Sequence, residues 1–319
     1  MHEVTCLGII VADVIAKTVN SLPQEGKLDL IDQIELHLGG CASNAAVDLE
    51  KIGIKTAVIG RVGDDGFGSF VINEMKQNGV NVEGIKVSKT SKTSASVVSV
   101  HSNGERSFIH HIGANADFVI EDVNFSIINS SKVLFVAGAL LMPGFDGPST
   151  AEVLKIAQKE NKITVLDTAW DSTGKWMQLI KPCLPYLDYF IPSLEEAEMI
   201  SGKSDPEEIA DVFLEAGVKT AVIKLGSKGC FIKNKAGEKY FIDSFKGIKA
   251  VDTTGAGDSF AAGFITGIVK GWDLYKCGKF ANAVGAHCVI KVGATSGIKT
   301  MDEIQKFINS YKSEVFNVK

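Results

Sequence analysis

The chain has 319 residues, of which 45% are hydrophobic and 22% are charged, and its formal net charge is −5. This composition is typical of a globular protein and excludes the disordered, collagen-like and disulfide-scaffold classes. The acidic balance, with no basic block interleaved with aromatic residues, argues against a nucleic-acid partner. The longest uncharged apolar stretch, residues 133–145, is too short to span a bilayer, so no membrane partner is expected.

The N-terminus and the cysteines indicate the cellular compartment. Glu3 and Asp13 stand where a secretory signal needs a basic start and an unbroken apolar run. The six cysteines form no CxxC pair and lie mostly in apolar surroundings: Cys6, Cys41, Cys183, Cys230, Cys277 and Cys288. They predict reduced thiols in a cytoplasmic protein, and neither a disulfide framework nor a zinc site.

Short β-branched runs alternate with segments of helical periodicity along the chain. In chain order, strands are predicted over residues 4–10, 56–62, 133–137, 163–167, 189–191 and 220–225. Helices are predicted over residues 67–78, 149–160, 206–216, 259–270, 274–291 and 301–315. This alternation predicts an α/β fold with a mainly parallel sheet and helices on both faces. Because no linker interrupts it, residues 1–319 are predicted to form a single domain.

One region departs from this alternation. Two strand-like runs, residues 94–101 and 105–111, flank Asn103-Gly104, a dipeptide typical of a two-residue hairpin turn. Residues 15–36 also lack helical periodicity. We therefore predict a small β-sheet lid, built from excursions at about residues 11–36 and 90–113, that covers a site on the main sheet. An insertion without a covering role is the alternative.

The segment Val251–Phe260, with the sequence VDTTGAGDSF, leads directly into an apolar helix. Small residues before a helix leave the first backbone N–H groups unobstructed, and these groups and the helix dipole favour an anion. Asp258 would lie beside that anion, where a carboxylate can accept a proton from an attacking hydroxyl during phosphoryl transfer. The alternative is a glycine-rich turn in which Asp258 only stabilises the first helical turn.

A second glycine-rich segment contains Gly39, Gly40 and Asn44. A Gly-Gly pair before a helix lets a ligand approach the backbone closely, and Asn44 offers both a donor and an acceptor to hydroxyl groups. Because no Lys or Arg lies within the pair, a neutral polyol fits better than a phosphate. A loop-to-helix junction is the alternative here, and residues 63–68 are predicted to be a capped turn with a structural role.

Together these segments resemble the ribokinase-like carbohydrate kinase family, the phosphofructokinase-B group. Gly39, Gly40, Asn44 and Gly53, followed by residues 60–68, resemble its N-terminal signature, and residues 252–258 (DTTGAGD) resemble its C-terminal one. The resemblance covers essentially the whole chain. It implies a three-layer α/β/α fold with a β-sheet lid and an ATP-dependent kinase. Such an enzyme transfers the γ-phosphoryl group to a hydroxymethyl group of a small monosaccharide.

The resemblance also implies roles for individual residues. Asp258 matches the catalytic base, and the anion hole is matched by Gly255, Ala256 and Gly257. The sugar-binding positions are matched by Asp13, placed at the end of the first strand, and by Gly39, Gly40 and Asn44. The nucleotide-binding positions are matched by Lys224, Gly226 and Gly229, and by Asn282 beside the adenine.

The implied cofactors are ATP with Mg²⁺. The family's Asn-x-x-Glu motif is present as Ser193 to Glu196, so Glu196 would organise hydrated Mg²⁺, while Ser193 stands where the family's Asn contacts the triphosphate. Many members also bind a monovalent cation such as K⁺, here near Asp252 and Thr254.

Two other functions are compatible with these residues. A nucleoside kinase of the same fold shares every catalytic residue and differs only in its pocket lining. A non-catalytic sugar-binding protein is the second alternative, favoured by Ser193. Since exposed strand edges tend to pair with other chains, we also predict a homodimer formed through the lid.

Overall fold

A computed structural model describes residues 2–102 and 106–316 of the chain, and the predicted turn Asn103-Gly104 lies outside these residues. Within them the strands are β1 (Val4–Gly8), β2 (Val11–Lys17), β3 (Gln33–Gly39), β4 (Thr56–Gly63), β5 (Asn81–Ser88), β6 (Ala95–Val100), β7 (Arg106–His111), β8 (Val133–Ala139), β9 (Ile163–Thr168), β10 (Tyr189–Phe190), β11 (Thr220–Lys224), β12 (Cys230–Asn234) and β13 (Lys239–Ile242). The α-helices are α1 (Cys41–Ile52), α2 (Gly66–Gln77), α3 (Phe125–Asn129), α4 (Pro148–Lys159), α5 (Met177–Ile180), α6 (Leu194–Ser201), α7 (Pro206–Glu215), α8 (Ala256–Val269), α9 (Leu274–Cys288) and α10 (Met301–Phe316).

In the described part of the chain the strands form two sheets. The large sheet has the order β13-β12-β11-β10-β9-β8-β1-β4-β5 and is parallel from β11 to β5, with β12 and β13 added antiparallel at one edge. The small sheet has the order β3-β2-β6-β7. The predicted mainly parallel sheet with a separate small sheet is confirmed.

The helices cover both faces of the large sheet because its strands alternate their side chains between two cores. Leu7 and Ile59 pack in one core with residues of α4, α6 and α7. Cys6 and Val58, one position away on β1 and β4, pack in the other with residues of α1, α8 and α9. This arrangement is the predicted three-layer fold. None of the described helices has the length and apolar character needed to cross a bilayer.

The predicted elements are present with ends shifted by a few residues, but three strands were missed. β5 and β13 lie at the two edges of the large sheet and are partly exposed. β12 lies between β11 and β13, and its buried apolar run covers only residues 230–232. The predicted turn at residues 63–68 is capped as expected, since the Asp65 carboxylate accepts the Gly68 N–H at the start of α2.

The predicted position of Asp13 at the end of the first strand is wrong. β1 ends at Gly8, where the chain passes so close to Ala137 that a Cβ would overlap its carbonyl oxygen. The chain then leaves the large sheet, and Asp13 lies in β2 of the small sheet, opposite His37 and Ser96. The residue still reaches the site, but from the sheet above it.

The small sheet presents two different faces. Ile15 and Val98 share the face of Asp13 and are buried against the rest of the molecule. Ile34, Val97 and Ile109 lie on the opposite face and are exposed. β2 with most of β3, and β6 with β7, fall in the two stretches predicted to form a lid, and movement of this sheet stays a prediction.

Candidate active site

The site forms where the N-terminal ends of α1 and α8 meet. Each helix follows a glycine with a positive φ, 92° at Gly40 and 76° at Gly255, so each turns sharply into its first residue. Asn44 Nδ2 donates a hydrogen bond of 2.9 Å to Asp258 Oδ2. The two motifs, remote in the sequence, therefore supply neighbouring side chains.

The Asp258 carboxylate lies in a partly buried position in the first turn of α8. Burial raises the pKa of Asp258, whereas the hydrogen bond from Asn44, the charge of Lys224 and a hydrogen bond from the Cys41 thiol oppose the rise. A carboxylate with a raised pKa is a stronger base than an ordinary aspartate, and the fixed donors hold it in one orientation, as a general base requires.

The backbone N–H groups at the start of α8 belong to the same helical turn as Asp258. Ala256 N donates to Thr253 O at 3.2 Å, whereas no described residue accepts from the N–H groups of Gly255, Gly257 or Asp258. The Ala256 N–H is thus used inside the turn. The anion hole of Gly255, Ala256 and Gly257 stays a prediction. Together with the helix dipole, these donors suit an anion.

A buried ion pair lies beside these donors. Lys224 Nζ, at the end of β11, contacts both oxygens of Asp167, at the end of β9, at 2.8 and 2.6 Å. Burial raises the pKa of Asp167 to about 7 despite the opposing charge of Lys224. Burial lowers the pKa of Lys224, but the negative charges of Asp167, Glu196 and Asp258 outweigh this and leave it above its ordinary value.

The Lys224 ammonium lies close to the first turn of α8. A Cβ placed on Gly257 would lie 3.2 Å from Lys224 Nζ, so the ammonium and the backbone of Gly257 are near neighbours. The resemblance placed Lys224 in the nucleotide loop, together with Gly226 and Gly229. In the structure its side chain leaves that loop and reaches the first turn of α8.

Asp13 closes the site from the small sheet. Its carboxylate lies over Gly39, where a Cβ would overlap it, and Gly40 next to it could not carry a side chain without meeting Ile9 O. Burial raises the pKa of Asp13, the hydrogen bond from Ser96 lowers it, and the charge of Asp258 raises it further. The absence of side chains at Gly39 and Gly40 thus allows the Asp13 carboxylate to lie close to the start of α1.

The resemblance assigns Asp13 to the sugar site. On that prediction we expect Gly39→Ala to raise the KM for the sugar strongly, because the added methyl group must displace the Asp13 carboxylate. Gly66→Ala is the matched control, since a Cβ there meets no atom within 4 Å. Initial rates at varied acceptor concentration measure the effect. An unchanged KM in Gly39→Ala would remove Asp13 from the acceptor site.

Ser193 and Glu196 have a structural role that was not predicted, although Ser-x-x-Glu is the sequence pattern of a helix capping box. Ser193 caps α6, and its backbone N–H donates to Glu196 Oε2 at 3.0 Å, while Glu196 N donates to Ser193 Oγ at 3.3 Å. Thr168 Oγ1 also donates to Glu196 Oε2, at 2.9 Å. This capping box orients the Glu196 carboxylate next to Lys224 and Asp258, whose pKa values it influences.

Two further residues predicted to bind ligands, Asn282 and Asp252, form hydrogen bonds with backbone groups. Asn282 is buried, and its Nδ2 donates to the carbonyl oxygens of Ile242 and Asp243 at 3.0 and 3.3 Å. Asp252 is buried, with one carboxylate oxygen on Thr254 N and the other on Gly293 N. The adenine contact of Asn282 and the K⁺ site near Asp252 and Thr254 stay predictions.

The sequence profile of the pfkB family carbohydrate kinases matches residues 1–301. The chain belongs to this family. The predicted family and enzyme class, a carbohydrate kinase, are thereby confirmed.

Known members and related structures agree with this assignment. The 5-dehydro-2-deoxygluconokinase of Clostridium perfringens is 28% identical over 291 residues, 87% of this chain and 86% of that protein. The Arabidopsis thaliana protein named "Probable fructokinase-5" is 30% identical over 293 residues, 85% of this chain and 88% of that one. Ribokinase from Thermotoga maritima superposes with a TM-score of 0.84 at 28% identity and covers 97% of this chain and 100% of its own. Arabidopsis ribokinase, solved with ribose and ATP, has the same fold, with a TM-score of 0.84 at 24% identity over 96% of this chain and 98% of its own.

Two groups in the site of this pfkB family kinase were not predicted from the sequence. Asp167 and Lys224 lie at the carboxyl ends of two predicted strands, residues 163–167 and 220–225, so the shared carboxyl edge of a parallel sheet was a usable signal for Asp167. Cys41, the first residue of α1, was expected to be a core thiol, but it is only partly buried and contacts Asp258. Its position after Gly39-Gly40 placed it beside the site. All six cysteines are free thiols, as predicted.

Proposed function

We propose that this pfkB family kinase transfers the γ-phosphoryl group of ATP to a hydroxymethyl group of a small monosaccharide, with Asp258 as the general base. The proposal rests on the hydrogen bonding of the Asn44 side-chain amide. Its Nδ2 holds Asp258, while its Oδ1 is buried and has no hydrogen-bond partner among the described residues. A buried amide oxygen needs a donor, and a substrate hydroxyl beside Asp258 would provide one.

The proposed reaction is an in-line displacement. Asp258 takes the proton of the sugar hydroxyl as its oxygen bonds to the γ-phosphorus, and the bond to the β–γ bridging oxygen breaks to release ADP. The N–H groups of Gly255, Gly257 and Asp258 and the ammonium of Lys224 stabilise the charge on the transferring group. Asp13 would bind hydroxyl groups of the sugar from above.

Glu196 is the residue best suited to hold hydrated Mg²⁺. Carboxylate oxygens are the ligands that Mg²⁺ prefers, and the internal hydrogen bonds of Glu196 fall on Oε2 and not on Oε1 within the described chain. Asp167 is less suitable, because Lys224 occupies both of its oxygens. When bound, Mg²⁺ neutralises phosphate charge.

An ATP-consumption screen tests the proposal. Hexoses, ribose, keto-acid sugars and nucleosides are offered separately with ATP and Mg²⁺, and the phosphorylated carbon is identified by ³¹P and ¹³C NMR. We expect turnover with at least one monosaccharide and a phosphate on a primary hydroxyl. Turnover of nucleosides alone, or a phosphate on a ring hydroxyl, would contradict it.

We expect Asn44→Leu to raise the KM for the sugar about tenfold, since it removes an acceptor for a substrate hydroxyl. It also removes the hydrogen bond that lowers the pKa of Asp258, so that pKa rises and the acidic limb of kcat/KM moves to higher pH. Asn309→Leu, an exposed asparagine on α10, is the control. A limb that stays in place would show that Asn44 does not act on the base.

We also propose a cytoplasmic homodimer formed through the outer face of the small sheet. Ile34 and Ile109 on that face are 67% and 60% exposed, and β3 and β7 leave unpaired edges. A second copy of the same apolar face would cover them. Six free thiols and the use of ATP suit the cytoplasm.

Light scattering of the Ile34→Lys/Ile109→Lys variant tests the dimer. We expect the wild type to be a dimer and this variant a monomer. Val87→Lys, at an exposed valine of β5, should leave the dimer unchanged. A wild-type protein that is monomeric at all concentrations would refute this part of the proposal.

A further inference from the structure

Asp48 is a buried carboxyl group for which the proposed reaction has no use. It lies on α1 with no solvent exposure. Its Oδ2 accepts a hydrogen bond of 2.5 Å from Ser259 Oγ, and its Oδ1 has no partner among the described residues. A buried ionised carboxylate with an unsatisfied oxygen is costly, so the group needs an explanation.

The placement of Asp48 repeats that of Asn44. The two residues are four positions apart, so they lie on one face of α1, one turn from each other. Asn44 contacts Asp258, and Asp48 contacts Ser259, the next residue of α8. Two polar side chains of α1 therefore form hydrogen bonds with consecutive residues in the first turn of α8.

The groups around Asp48 do not balance a negative charge. Lys51, on the same helix, directs its ammonium to Thr295 O at 2.8 Å. From α8, the charge of Asp258 disfavours ionisation, and the Cys288 thiol of α9 lies near Ser259. Burial raises the pKa of Asp48 well above its ordinary value, and Ser259 and Lys51 oppose this only in part. A protonated Asp48 can still accept the hydrogen bond from Ser259 Oγ through its carbonyl oxygen, and it leaves no buried charge.

We propose that Asp48 is a positioning residue, a neutral acid that holds Ser259 and thereby fixes Asp258 and the amide donors at the start of α8. The inference rests on the proposed function of Asp258 as the base. Neutrality matters, because an ionised Asp48 would place a second negative charge beside Asp258 and disfavour the ionised form that accepts the proton. Asp48 itself does not touch the substrate.

Four variants test the positioning role: Asp48→Leu, Ser259→Ala, their combination, and Asp48→Asn. We expect Asp48→Leu and Ser259→Ala each to lower kcat about tenfold with little change in the KM for ATP. The double variant should lose no more than either single one, because both remove the same bond. Asp48→Asn preserves shape and hydrogen bonding without a charge, so it should keep both the wild-type kcat and the wild-type acidic limb of kcat/KM.

Two results would overturn the inference. Wild-type kcat in a folded Asp48→Leu variant would remove the positioning role. A shift of the acidic limb to lower pH in Asp48→Asn would show that Asp48 is ionised in the wild type, because removing its charge would then lower the pKa of Asp258.

A readout without turnover separates this inference from the proposed function. In protein labelled with ¹³C at aspartate carboxyl carbons, the resonance missing from Asp48→Asn identifies Asp48. We expect it to stay at the position of a protonated acid from about pH 5 to about pH 8, and a titration in that range refutes a neutral Asp48. If the wild type phosphorylates no sugar, the proposed function fails, whereas the ¹³C result still decides the charge of Asp48.

Discussion

Replacing Asp258 with Asn is expected to lower kcat about 10³-fold while the protein stays folded. The amide has nearly the shape of the carboxylate and can still pair with Asn44, but it cannot accept the proton of the attacking hydroxyl. The amide donors of α8 and Lys224 remain, so binding of ATP should change little. The loss therefore falls on kcat rather than on the KM for ATP.

Steady-state rates over a range of pH measure this effect. The wild-type kcat/KM should fall as the pH drops through the raised pKa of Asp258, because only the ionised base accepts a proton. The residual rate of Asp258→Asn should lack that limb. Asp302→Asn, at an exposed position of α10, is the control and should match the wild type. A loss smaller than tenfold would rule out Asp258 as the general base.

Replacing Lys224 with Met is expected to damage both the chemistry and the fold. The ammonium lies close to the first turn of α8, so its loss should reduce kcat about 10²-fold. It also leaves Asp167 buried without its partner, which costs about 3–5 kcal/mol of stability when the charge remains. Activity alone would not separate the two effects.

The double variant Lys224→Met/Asp167→Leu separates them. It removes both charges and fills the space with apolar groups, so the free energy of unfolding in urea should recover while kcat stays low. In the single variant, the pKa of Asp167 rises above its wild-type value of about 7 once the ammonium is gone. A folded pKa above the unfolded one means that stability is lost as the pH rises, so the single variant should be weakest in alkaline buffer. Wild-type kcat in the double variant would show that the pair serves only the fold.

The inner strands of the large sheet were predicted because they are buried on both faces. β1 and β8, for example, show as unbroken apolar runs. The edge strand β13 is mostly exposed and the buried run of β12 is only three residues long, so neither strand was predicted. Asp13 was placed on the wrong strand, because the chain leaves the large sheet where Gly8 meets the backbone of Ala137, a contact between remote segments.

The sequence by itself was enough to predict the three-layer fold and the two glycine-rich motifs. It also identified Asn44 and Asp258 within those motifs as candidate site residues. Those features depend on periodicity and on the conformational freedom of glycine, which are local properties of the chain. Only the tertiary structure showed that Lys224 pairs with Asp167 near the first turn of α8, that the Ala256 N–H donates within its own turn, and that Ser259 donates to Asp48. These contacts join segments that are remote along the chain and that the large sheet and its helices bring together. Tertiary packing, and not the neighbouring sequence, decides which side chains meet in this way.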